Sequence, residues 1–121
     1  MAKKVLVIDD DQTGVVLMRA RLSKVGYEVL TAPNGAVGLN VAQTGRPDLI
    51  VLDIEMPQMN GYMFLMELKR IQGGVGTPVI VVTSHAENKM IFYRHGIKDY
   101  LVKPVDFDQL IAKIQTVIGQ P

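Results

Sequence analysis

Four places in this 121-residue sequence carry side chains suited to one reaction. Asp9, Asp10 and Asp11 follow the apolar run Val5-Leu6-Val7-Ile8. Asp53 ends Leu49-Ile50-Val51-Leu52, Thr83 and Ser84 end a third run, and Lys103-Pro104 follow a fourth. Ligands of open α/β sheets bind beyond the carboxyl ends of the strands, so each group stands where chemistry is done. If the first and third strands are neighbours, two or three carboxylates converge, and like charges repel unless a cation joins them. Magnesium answers that need: it takes oxygen ligands, keeps several waters, and suits two carboxylates plus a backbone carbonyl. Lys103 adds a point charge suited to phosphate. A carboxylate can attack phosphorus to give an aspartyl-phosphate, with a metal ion and a lysine neutralising the equatorial oxygens and a threonine hydroxyl donating to them. This pattern therefore predicts phosphoryl transfer onto Asp53.

Regular elements must bring these side chains to one edge. Apolar runs of strand length lie at Lys4 to Ile8, Tyr27 to Thr31, Leu49 to Asp53, Val79 to Thr83 and Asp99 to Val102. Between them, apolar residues recur at helical spacing in Val15, Met18, Leu22 and Val25, in Phe64, Leu68 and Ile71, and in Leu110, Ile114 and Val117. Parallel strands need crossover connections, so five alternating units predict a mainly parallel sheet with helices on both faces. The expected fold is α/β: one flavodoxin-like, doubly wound (βα)5 domain over residues 1–121, with a five-stranded parallel sheet in strand order 2-1-3-4-5. Asn34, the box Ser84-His85-Ala86-Glu87, and Asp106 with Gln109 mark helix starts. The stretch Gln72-Gly73-Gly74-Val75-Gly76 follows a helix and lacks a Walker lysine, which predicts a flexible connection rather than a phosphate loop.

Composition removes several function classes. The 13 basic and 12 acidic residues are scattered and leave a formal net charge of +1, which gives no footprint for nucleic acid or anionic lipid. Neither direct nucleic-acid binding nor membrane insertion is expected. The absence of cysteine excludes a disulfide scaffold or thiolate metal site. Val5–Ile8 is too short for the core of a signal peptide, so a cytoplasmic protein is expected.

The ordered set resembles the receiver domain of two-component response regulators. It comprises Asp9-Asp10, Asp53 followed by Met56-Pro57 and Gly61, then Thr83, then Lys103-Pro104, and it spans essentially the whole chain. The resemblance implies that Asp53 accepts a phosphoryl group from a histidine kinase or histidine phosphotransfer protein. It implies magnesium held by Asp10 and Asp53, by the backbone carbonyl of Glu55, and by Asp9 through water. Lys103 would pair with the phosphoryl group, and Thr83 would move toward it. Tyr100 would turn from exposed to buried in the switch. Glu55 and His85, each two residues beyond a site residue, would tune dephosphorylation, and Lys103–Pro104 would be a cis bond. A receiver promotes only its own phosphorylation and dephosphorylation and signals to a separate output protein. A monomer or weak dimer with no attached output domain is expected.

Plainer roles stand beside these. Asp11 is expected to cap the first helix. His95 reads as a cation at a helix end. Met56, Met59, Met63 and Met66 suit either an adaptable partner surface or gaps in the core. Gly14, Val15, Leu17 and Met18 suit either a kinase contact or the core. The interval from Thr83 to Lys103 predicts an abbreviated fourth helix, which lies in the family's usual output face. Three other functions compete: an aspartate-nucleophile phosphatase or phosphotransferase, in which Glu55 would be the general acid; a flavin-binding domain; and a degenerate receiver acting as a constitutive interaction module. The flavin reading is disfavoured because three acids replace a phosphate loop after the first strand.

Overall fold

The computed structural model describes residues 2–56, 59–73, 76–87 and 89–121. Ten elements alternate along the chain: β1 Lys4–Ile8, α1 Gln12–Val25, β2 Glu28–Ala32, α2 Gly35–Gly45, β3 Leu49–Asp53, α3 Gly61–Gln72, β4 Val79–Thr83, α4 Lys89–Arg94, β5 Asp99–Val102 and α5 Phe107–Ile118. The sheet is parallel throughout, in the order β2-β1-β3-β4-β5, as the alternation predicts. Successive strand residues point to opposite faces, so a strand covered by helices on both sides must be apolar throughout. In β3 and β4 every residue is buried. Leu6, Ile8, Ile50, Leu52 and Val81 form one core with Ala42, Phe64, Leu65, Leu68 and Phe92 of α2, α3 and α4. Val5, Val7, Leu49, Val51, Ile80 and Val82 form the other with Val15, Met18 and Leu22 of α1 and Leu110 and Ile114 of α5.

Strand β2 and the start of α4 depart from the sequence expectation. Strand β2 runs from Glu28 to Ala32 instead of Tyr27 to Thr31, because Tyr27 is used in the turn that closes α1. Gly26, at φ 119°, takes the left-handed turn that a side chain disfavours. The amides of Gly26 and Tyr27 then both reach back to Leu22 O, and the ladder begins only with Glu28 N donating to Lys3 O. Val25 is exposed and drops out of the α1 stripe. The Ser84–Glu87 box does not form: α4 begins at Lys89, Ser84 gives its amide and hydroxyl to Glu55, and Glu87 pairs with His85. Helix α4 is indeed short, six residues, and closes on Gly96 at φ 85°.

Other helix starts follow side-chain chemistry. Asn34 accepts from Val37 N, and Asp106 from Gln109 N. Asn60, which the motif reading did not single out as a cap, accepts from Met63 N at the head of α3. Asp11 occupies the cap position of α1, but only its backbone carbonyl accepts, from Val15 N; its side chain makes no capping hydrogen bond. In the glycine-rich connection, Gly74 and Val75 lie outside the described residues; Gln72 closes its base through the amide and hydroxyl of Thr77. Among the described residues no helix is long and apolar enough to cross a membrane.

Candidate functional site

The carboxyl ends of β1, β3, β4 and β5 open on one side of the sheet and deliver the expected residues together. β1 and β3 are direct neighbours, with Ile8 opposite Leu52, so Asp9 and Asp53 leave the sheet side by side. Asp9, Asp53 and Thr83 are the three buried polar or charged side chains among the described residues. One carboxylate oxygen from each of Asp9, Asp10 and Asp53 lies within 4.8 Å of the others, with Asp10 exposed at the mouth. Lys103 reaches in from the end of β5, its Nζ 3.3 Å from Asp9 Oδ2 and 3.5 Å from Asp53 Oδ2. Its amide donates to Thr83 O, and the Lys103–Pro104 peptide bond is cis.

Local turns fix the two buried acids. Asp9 Oδ1 accepts from Asp11 N at 2.9 Å, and Asp53 Oδ1 accepts from Glu55 N at 3.1 Å. Beyond Asp53 the chain must turn back at once into α3, and Gly61 makes the return possible. A Cβ there would lie 2.6 Å from the Ile54 Cα, closer than atoms pack. Pro57 and Gln58 lie outside the described residues; Met56 is buried.

The electrostatics follow from that crowding. Burial is the main cause that pushes the Asp53 carboxyl up, to about 6, and the Asp9 carboxylate adds to it. The Glu55 amide and the Lys103 ammonium pull the other way without cancelling it. Burial works against the charge on Lys103, but Asp53 and Asp9 together outweigh it and hold the ammonium above its usual range. Among the described residues, three carboxylates beside Lys103 form an oxygen donor set with surplus negative charge, which fits a hard divalent cation.

The Glu55 side chain is tied to the residues that follow β4. Its Oε1 accepts from the Thr83 hydroxyl at 2.9 Å, the Ser84 hydroxyl at 2.6 Å and the Ser84 amide at 3.1 Å. Its Oε2 lies 2.9 Å from His85 Nε2, while His85 Nδ1 lies 2.9 Å from Glu87 Oε1. The Ser84 hydroxyl, then Thr83, pull the Glu55 carboxyl down to about 2, and Glu55 and Glu87 raise the His85 imidazole. Ser84 and Glu87 were missed as partners. The signal was present in the strand order: Asp53 pairs with Val82, so the residue two beyond Asp53 meets the residue two beyond Val82.

Tyr100 is buried: its hydroxyl donates to His85 O, and its ring packs 6.1 Å from that of Phe92. The methionines divide: Met56 and Met59 join the core, whereas Met63 and Met66 are exposed on α3. Val15 and Met18 are core residues, which leaves Leu17, beside Val16, exposed on the first half of α1. His95 packs edge-on against Tyr62 at 5.0 Å. A hollow of about 290 Å³ near Pro78 and Lys98 lies at the opposite, amino end of the strands.

A doubly wound parallel sheet with an acid cluster, a threonine and a lysine at its carboxyl edge defines a class of phosphoacceptor domains. The response regulator receiver domain family matches residues 5–115, and the chain belongs to that family, the receiver domains of two-component systems. It is 36% identical over 118 residues to the protein PilH of Pseudomonas aeruginosa, covering 96% of this chain and 98% of that one. Several longer transcriptional regulators also match; the chain spans 26% to 49% of their length. Among solved structures, the chemotaxis protein CheY4 of Vibrio cholerae superimposes with a TM-score of 0.89 at 32% identity, over 97% of this chain and 99% of that one. The receiver domain of the sensor histidine kinase PA1611 from P. aeruginosa, at 25% identity and a TM-score of 0.87, covers 99% of this chain and 100% of that one. It carries a magnesium ion coordinated in its active site cleft.

Proposed function

We propose that this chain is a phosphorylation switch whose acceptor is Asp53, charged by the phosphohistidine of a histidine kinase or phosphotransfer protein and read by a separate output protein. The observation that carries this reading is the convergence of buried Asp53 with Asp9, Asp10 and Lys103 at one sheet edge. An Asp53 carboxylate oxygen attacks phosphorus, the P–N bond to the donor imidazole breaks, and the imidazole leaves with the electron pair. Magnesium, when bound, would neutralise the charge on the transferring oxygens. Asp10 and Asp53 would hold it, with the Glu55 backbone carbonyl, and with Asp9 through water. Lys103 orients the phosphoryl group and offsets its charge. Thr83 then donates its hydroxyl to a phosphoryl oxygen, and Thr83 with Tyr100 carries the change outward. Glu55 and His85, at the edge of the acceptor, set how readily water attacks the phosphoaspartate. Residues 1–121 act as one domain that works in the cytoplasm as a monomer or weak dimer and turns over no separate substrate.

The phosphatase reading fares worse. It requires Glu55 to deliver a proton to a leaving group, but a carboxylate that accepts three hydrogen bonds and is held near 2 stays ionised. The test is intact mass after incubation with acetyl phosphate, with and without magnesium, for wild type and Asp53→Asn. A single phosphoryl gain that needs both magnesium and Asp53 is expected. A gain that persists in Asp53→Asn would move the acceptor elsewhere, and no gain under any condition would favour a constitutive interaction module.

A further inference from the structure

The Thr83 hydroxyl has one hydrogen, and that hydrogen is committed. It points at Glu55 Oε1, 2.9 Å away, while the hydroxyl oxygen accepts from His85 N at 3.2 Å. Thr83 is fully buried, so no bulk water can substitute for either partner. A phosphoryl group on Asp53 can gain the Thr83 hydrogen bond only by taking it from Glu55. We infer that the Glu55 side chain is a positioning residue, a latch that holds Thr83 and Ser84 in the resting arrangement and opposes the phosphorylated one. The inference rests on the phosphoacceptor reading of Asp53 and adds to it a second competitor for the same proton.

The geometry makes the latch more than one contact. Ser84 gives Glu55 both its amide and its hydroxyl, so the carboxylate grips the chain on either side of the Thr83–Ser84 peptide bond. His85 holds the other carboxylate oxygen and is itself held by Glu87, which fixes the orientation of the Glu55 carboxylate. Residues 83–85 are thereby tied to the acceptor loop through Glu55. Hydrogen bonds to charged acceptors are among the stronger ones, and here carboxylate and phosphoryl group are both anionic acceptors. The exchange of Thr83 from one to the other is a contest between like partners, so loss of one competitor shifts the balance measurably.

The experiment measures the affinity of the full chain for beryllofluoride, a phosphoryl mimic, by fluorine NMR in the presence of magnesium. Five proteins are compared: wild type, Glu55→Ala, Thr83→Val, the double variant, and Glu55→Gln as the conservative control. Alanine keeps the backbone carbonyl but removes the latch, so Glu55→Ala is expected to bind the mimic roughly 5- to 10-fold more tightly than wild type. Glu55→Gln keeps an acceptor for Thr83 and should fall between them. In the Thr83→Val background the gain from Glu55→Ala should shrink, because only the Ser84 contacts are left for it to release. Equal effects in both backgrounds, or weaker binding by Glu55→Ala, would overturn the latch while leaving the acceptor intact. Failure of wild type to bind beryllofluoride at all would instead sink the phosphoacceptor reading on which the latch rests.

Discussion

Asp53 and Glu55 are separated by one residue, yet their carboxyl groups are displaced in opposite directions. Asp53, 5% exposed, is pushed up to about 6 chiefly by burial, with Asp9 adding repulsion and Lys103 only partly offsetting it. Glu55 has a side chain 39% exposed and is drawn down to about 2, first by the Ser84 hydroxyl and then by Thr83. The difference lies in the supply of donors. Asp53 accepts one backbone hydrogen bond and shares one lysine with Asp9, whereas Glu55 accepts three hydrogen bonds on a single oxygen and faces an imidazole with the other. A buried, under-supplied carboxylate gains most from incoming positive charge, and a saturated one gains least. The same group at the end of the same strand is thus reactive in one place and structural in the next.

Removing the Lys103 ammonium from the Asp53 side should produce the largest effect. Lys103→Met leaves two buried acids without their lysine and takes away the charge that faces the transferring oxygens. Phosphorylation by acetyl phosphate should slow by a factor on the order of 100. A time course by intact mass would show this, and a rate within a few-fold of wild type would remove Lys103 from the acceptor's chemistry. A smaller effect, on stability, should come from Asp53 itself in chelator-treated buffer. An acid whose folded pKa lies above its unfolded value contributes stability that is full below about 3.8 and is lost as pH rises through about 6. Asp53→Asn has no such loss, so it should match wild type near pH 4 and exceed it at pH 7. A rise of that size corresponds to at most about 3 kcal/mol, and relaxation around the charge reduces it to about 1–3 kcal/mol. Urea melts from pH 4 to 7 decide the matter. A gap that does not widen with pH would mean that Asp53 is not held under strain by burial.

The half of this contrast that lies at Asp53 was legible in the sequence. A fully apolar run ending on an acid reads as a buried strand that carries the acid to its exposed end, and the alternation of elements predicts a parallel sheet whose strand ends share one edge. Asp9, Asp10, Asp53, Thr83 and Lys103 were therefore assembled from order alone. The Glu55 half was not legible as clearly, because it depends on side chains that leave the strands. Ser84 and Glu87 match a helix-start pattern, and local pattern favours that use. Tertiary contact overrode it: with Glu55 one strand away, Ser84 found a charged acceptor and α4 began later. Tyr100 illustrates the same limit. Its position on β5 was clear, but its burial depends on whether a partner exists for the hydroxyl, and His85 O supplies one.

The smallest expected effect tests the Glu55 half on the acid side. An acid whose folded pKa is depressed contributes stability that is present above its unfolded value, near 4.5, and is lost as pH falls toward about 2. Wild type should therefore lose stability over that window, while Glu55→Gln, which carries no titrating proton, should lose less of it. Because the side chain is more than a third exposed, solvent screening limits the difference to under about 1 kcal/mol. Ser84→Ala removes the donor that contributes most to the depression and should shrink the same difference with Glu55 left in place. Thermal melts of the three proteins at pH 2.5, 3.5 and 5 would resolve it. Asp53 and Glu55 then bend the stability curve in opposite directions on either side of pH 4, which neither residue could do through net charge alone. If Glu55→Gln follows wild type through the whole acid range, the hydrogen bonds from Thr83 and Ser84 do not favour the ionised carboxylate, and Glu55 is not the saturated counterpart of Asp53.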